Sequence, residues 1–232
     1  MAINLTTRNT TVPARETGPD TGRRRRLLTV PGLVGIGYSL SWIAGLAVPA
    51  PSPRFGAPGA EVVAALAGHG PAVATQFALT EGLPAAGIAV ISVALARTAR
   101  QSGATMAARF ALVFGLVAAI ISALQFGLGV ALTATSAPGP AHLLYTSVDR
   151  LDGAKMLALA VFAAAAATMT VLPRWLRYTG IALAVAITCS GLVYLLLVAS
   201  LATAAGPALV LLLAFMTGCG IIIGMRADPR DR

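Results

Sequence analysis

Thr80-Glu81-Gly82-Leu83-Pro84 interrupts an apolar run that otherwise extends from Val73 to Ala96. A run of about 20 residues crosses a bilayer as a helix, so the fold class turns on whether this carboxylate can sit in lipid. A charge at the centre of a spanning helix costs about 3 kcal/mol on insertion scales, and such residues face a cavity or a partner. Pro84 cannot donate to the Thr80 carbonyl, and its ring invites a kink beside the carboxylate. Gly82 leaves the backbone uncovered at the same level. The stretch reads as a spanning helix with a polar site built into it.

Composition agrees with that reading. The 232 residues are 57% hydrophobic and 11% charged, with a mean hydropathy of +0.81, whereas globular chains are about 25% charged. A net charge of +9 would suit nucleic acid if the basic side chains formed a stripe beside aromatics. They stand instead at the ends of apolar runs, which is the pattern of membrane topology. The expected partner is therefore membrane lipid, and no nucleic acid.

Working outward from 73–96, comparable apolar runs lie at 27–50, 109–134, 153–172, 178–200 and 206–225. None alternates apolar and polar residues as a membrane barrel strand does. The expectation is an all-α, polytopic six-helix transmembrane bundle over 27–226. A basic cytoplasmic tail over 1–26, too poor in apolar residues to order itself, precedes it, and a short cytoplasmic end over 227–232 follows. Of the 17 Lys and Arg, all but Arg54, Arg150 and Lys155 fall on the side of the N-terminus in this arrangement. That bias places both termini in the cytoplasm, and the expected location is a bacterial inner membrane. An alternative reads Arg23 to Arg26 and the following run as a cleaved twin-arginine export signal, but the run has the length of a span.

The loops on the opposite side are richer. Residues 59–66 read as a short amphipathic helix at the interface, and 135–152 as a loop carrying His142, Tyr145, Asp149, Arg150 and Asp152. Gly220 and Gly224, and more loosely Gly35, Gly37 and Ser41, are small-residue pairs suited to close helix contact. Cys189 and Cys219 read as small core side chains rather than as a disulfide or metal pair, and His69 and His142 as solvated loop residues. No metal or cofactor is expected, because no ligand cluster stands at coordination spacing and no phosphate loop, dinucleotide fingerprint or zinc-protease motif is present.

Leu172-Pro173-Arg174-Trp175-Leu176, then Gly180, Ser190-Gly191 and Tyr194-Leu195-Leu196, together with Ala108-Arg109-Phe110-Ala111, give the chain a familiar look. Over roughly 30–225 it resembles an uncharacterised bacterial six-helix integral membrane family. That resemblance implies six helices and a bacterial source, and no activity. In size, helix content and the use of two membrane-level carboxylates, the chain is also similar in type to small integral-membrane terpenoid cyclases. No motif of theirs aligns residue by residue.

A rise of 1.5 Å per residue puts Glu81 about 24 Å from Arg97 and so in the outer half of the bilayer. Gln125 on the third run falls at a similar depth, as do Asp152 and Lys155 at the mouth of the fourth. The functional reading makes Glu81 and Asp152 catalytic acid and base groups. Gln125, Lys155, Tyr38, Trp42 and Tyr194 then bind substrate in an outward-opening pocket, for cyclase- or isomerase-like chemistry on a lipophilic small molecule. The plainer reading has Glu81 hydrogen-bonded to Gln125 or a hydroxyl as glue between helices, and Asp152–Lys155 as a solvated i,i+3 pair. A proton-coupled transporter and a regulatory or structural membrane protein are the other classes the sequence allows. Against the transporter, Pro84 has no counterpart in the second half of the chain.

Overall fold

The computed structural model describes residues 29–197 and 205–226. The expected tail 1–26 and the end 227–232 lie outside the described residues. Within them the fold is all-α: α1 (Val30–Leu46), α2 (Gly59–Leu66), α3 (Gly70–Gln101), α4 (Thr105–Thr133), α5 (Pro138–Ala167), α6 (Arg174–Leu195) and α7 (Ala205–Arg226). Four of these, α3, α4, α6 and α7, are long and apolar enough to cross a membrane. α1 is apolar but has 17 residues, a rise of roughly 26 Å against a hydrocarbon core of roughly 30 Å. α5 has the length, 30 residues, but carries Asp149, Arg150, Asp152 and Lys155.

The six long helices form a closed ring. From α3 to α7 each packs on the next in the chain, and α1 fills the gap between α7 and α3. Large side chains point both ways. Ile91, Leu95, Leu159, Leu183 and the edge-to-face pair Phe162–Phe215 are buried inside. Leu33, Leu40 and Ile43 on α1, Ile120 and Leu124 on α4, and Val185 on α6 stand exposed outside. An apolar exterior of this extent marks a surface that meets lipid or partners rather than water.

Small residues set two of the close approaches. A Cβ on Gly35 would lie 3.1 Å from the Gly220 Cα, and one on Gly220 would lie 2.5 Å from the Pro31 carbonyl. The two stripes singled out in the sequence thus face each other across α1 and α7, although Gly37 contacts nothing within 4 Å. At the α5–α6 crossing, a Cβ on Gly153 would meet the Leu195 nitrogen at 2.6 Å.

Two regions differ from the sequence reading. Residues 138–152 are not a loop: they form the first half of α5, entered through Pro138 in the first turn, where a missing N–H costs nothing. His142 therefore lies on a helix, with Nδ1 3.2 Å from the Ala57 carbonyl. What holds this extension is α2, whose Val62 packs with Ala57, Leu132 and Ala141, while the Tyr145 hydroxyl donates to the Pro53 carbonyl at 2.8 Å. The second concerns the cysteines: Cys219 is buried but Cys189 is exposed, and both are free.

Candidate functional site: a buried charge cluster beside a cavity

The site begins with the backbone of α3. Residues Ala78–Gly82 form a π-helical turn, in which the Leu83 N–H bonds to the Ala78 carbonyl instead of the Leu79 carbonyl it would meet in α-register. Leu79 would next look to residue 84, and Pro84 has no N–H. Its carbonyl is left without a backbone donor by either route, and the Ser41 hydroxyl of α1 donates to it. The Ser122 hydroxyl on α4 lies 3.1 Å from the Glu81 carbonyl, though its one proton is shared with the Glu81 carboxylate. A serine hydroxyl from the neighbouring α1 thus satisfies the carbonyl that proline has opened. Single π turns of this kind often mark functional sites.

The turn carries Glu81 into the ring, where it is 6% exposed. Lys155 of α5 donates to both its oxygens, at 2.7 Å to Oε1 and 2.8 Å to Oε2, and the Ser122 hydroxyl donates to Oε2. The same ammonium lies 2.7 Å from Asp152 Oδ1. Gln125 Nε2 donates to Asp152 Oδ1 at 3.3 Å and to the Val148 carbonyl at 3.1 Å. Its own Oε1 is buried without a hydrogen-bond partner, as is Asp149 Oδ2.

The structure therefore brings Glu81, Gln125, Asp152 and Lys155 together, with changed roles. Lys155 is not half of a solvated pair at a helix mouth. It is 5% exposed, and its long side chain reaches across the ring interior from α5 to the π turn of α3. Glu81 bonds to a hydroxyl, that of Ser122, and not to Gln125. Ser122 stands three residues before Gln125 on α4, so that i,i+3 spacing placed it on the site's face; it is the residue that the sequence reading missed.

Beside the cluster lies a cavity of about 210 Å³ between α1, α5, α6 and α7, at the end of the ring that carries α2. Trp42, Met156, Leu159, Ile187, Tyr194 and Leu212 are among its walls, and Asp152 and Lys155 are its charged lining. Trp42 contributes its ring, while its indole N–H is enclosed on the side of Tyr38. Tyr194 is held edge-on by Phe55, with ring centroids 5.2 Å apart. The pocket expected around Glu81 is thus displaced: Glu81 does not line it and sits behind Lys155. Tyr38 does not line it either. It is buried at 3% exposure against Gly87, beside a void of about 10 Å³ that it shares with Trp42, Ser122 and Lys155.

Among the described residues no group of three or more His, Cys, Asp or Glu could hold a metal ion. What the arrangement offers is an apolar chamber with one carboxylate and one ammonium in its wall and a second carboxylate behind them. No family model matches the chain, and no curated protein or solved structure is similar to it at a level that carries an argument.

Proposed function

We propose that this chain is a six-span protein of a bacterial cytoplasmic membrane, with both termini on the cytoplasmic side. It binds a lipophilic small molecule in the cavity between α1, α5, α6 and α7, and transforms it by acid–base chemistry of the cyclase or isomerase kind. The observation that carries this reading is the cavity itself: mostly apolar walls, with convergent polar groups drawn from a buried ion cluster. Concave apolar sites with a few placed polar groups are where small ligands bind.

Asp152 is the proton-handling group in contact with the ligand, its side chain 20% exposed. Lys155 and Gln125 hold that carboxylate in place, and Glu81 acts as the second carboxylate through Lys155. The exposed apolar side chains of α1 support counting that helix as a span, and the arginine distribution supports the orientation.

The test is native mass spectrometry of the protein in gentle detergent. The expected result is a non-covalent small-molecule adduct that is lost in Leu212→Trp, which fills the cavity. Asp152→Asn should stop conversion of whatever is bound. Equal adduct content in the wild type and Leu212→Trp would refute the pocket.

A further inference from the structure

We infer that the cavity takes a cationic ligand, a lipophilic ammonium ion whose charged head sits at Asp152 between the rings of Trp42 and Tyr194. The inference rests on the pocket proposed above and adds the charge of what fills it.

Lys155 is already engaged by two carboxylates. Its ammonium lies 2.7 and 2.8 Å from the two oxygens of Glu81 and 2.7 Å from Asp152 Oδ1. A ligand carboxylate or phosphate that reached it would have to approach both of those fixed carboxylates and meet their repulsion. The lysine in the cavity wall is therefore not an anion site.

Asp152 stands in the opposite condition. Its contacts with Lys155 and Gln125 both fall on Oδ1, and Oδ2 makes none among the described residues. With Glu81 and Asp152 both ionised, two carboxylates share one ammonium, and the cluster carries one negative charge that no other cavity-lining residue among those described offsets. Arg150, the nearest cation in sequence, is exposed rather than part of the lining. In a low-dielectric setting an unmatched buried charge is costly, and a bound cation relieves that cost. Trp42 and Tyr194 bring aromatic rings to the wall, the side-chain type that favours an ammonium head, and Leu159, Ile187 and Leu212 supply walls for its apolar body.

Three probes of matched size decide the matter: phenyltrimethylammonium, its neutral isostere tert-butylbenzene, and the anion benzenesulfonate. They are titrated into the full-length protein in neutral detergent, in a Trp175→Phe background. The chain has 2 Trp, so Trp42 is then the sole tryptophan and its fluorescence reports the cavity. Phenyltrimethylammonium should quench it saturably and bind roughly tenfold or more tighter than tert-butylbenzene, with no saturable response to benzenesulfonate. Asp152→Asn should remove most of that preference. If tert-butylbenzene binds as tightly as the ammonium, or benzenesulfonate binds best, the charge inference is overturned and the pocket stands. If none of the three gives a saturable response, both fall. The wild-type comparison decides the question even where Asp152→Asn fails to fold.

Discussion

Replacing Lys155 by Met keeps a long unbranched side chain and removes the only cation in the cluster. Glu81 and Asp152 would then face each other's charge with two hydrogen bonds to Glu81 and one contact to Asp152 gone. Removing one partner of a buried pair costs about 3–5 kcal/mol, because the other is left uncompensated. For a chain of this size each kcal/mol shifts the melting temperature by about 2–4 °C, so Lys155→Met should melt roughly 6–20 °C below wild type. Glu81→Gln should cost only about 1 kcal/mol, since Lys155 keeps Asp152 and the amide oxygen still accepts from Ser122. The double variant should be less damaged than Lys155→Met alone, because the buried Glu81 charge has gone with its partner. The assay is thermal unfolding of detergent-solubilised protein, followed by monodispersity on a sizing column. A Lys155→Met protein within about 1 kcal/mol of wild type, or strictly additive single changes, would refute the buried pair.

Three further outcomes follow from the same geometry. Gly153→Ala puts a Cβ 2.6 Å from the Leu195 nitrogen and 2.7 Å from the Gly191 carbonyl, backbone atoms that cannot rotate aside. It should cost about 1–3 kcal/mol, whereas Gly127→Ala, with nothing within 4 Å, should be neutral or stabilising; equal melting temperatures for the two would contradict the close crossing. Asp149, outside the proposed span 153–172, has its carboxyl pushed up to about 7, by burial first and then by the charge of Asp152. The fold binds this proton more tightly than the unfolded chain, with a value of about 3.9, so its contribution is complete below that value and is lost as pH rises towards 7. Melting temperature measured from pH 4 to pH 8 should fall less steeply in Asp149→Asn than in wild type, and parallel curves would remove the effect. Reporter fusions at Gly103 and Arg226 should read cytoplasmic and one at Gly139 external; an external signal at Arg226 would overturn the six-span arrangement.

Much of the architecture was legible because it depends on short-range physics. A long apolar run in which every backbone group must be satisfied internally has to be a helix. The runs near 73–96, 109–134, 178–200 and 206–225 accordingly became α3, α4, α6 and α7, with ends shifted by a few residues. Glu81 drew attention for the same reason, as a carboxylate with no local partner in an apolar helix. The small residues Gly35 and Gly220 were likewise readable as contact points, since a missing side chain on an apolar helix serves little else.

The rest depended on which helices meet, and no local signal carries that. Asp152 and Lys155 three residues apart make the same pattern whether their face turns to water or inward; only the seating of α5 against α4, in the ring that α3 shares, directs Lys155 to Glu81. Pro84 signals a broken hydrogen-bond ladder, but the donor that satisfies the opened Leu79 carbonyl is Ser41, held by another helix. Residues 138–152 have the prolines and polar groups of a loop, and are helical where α2 and the Pro53 carbonyl cover them. The cavity lay beyond the reach of the sequence for the same reason, because its walls come from four helices far apart in the chain and its volume is what their packing leaves unfilled.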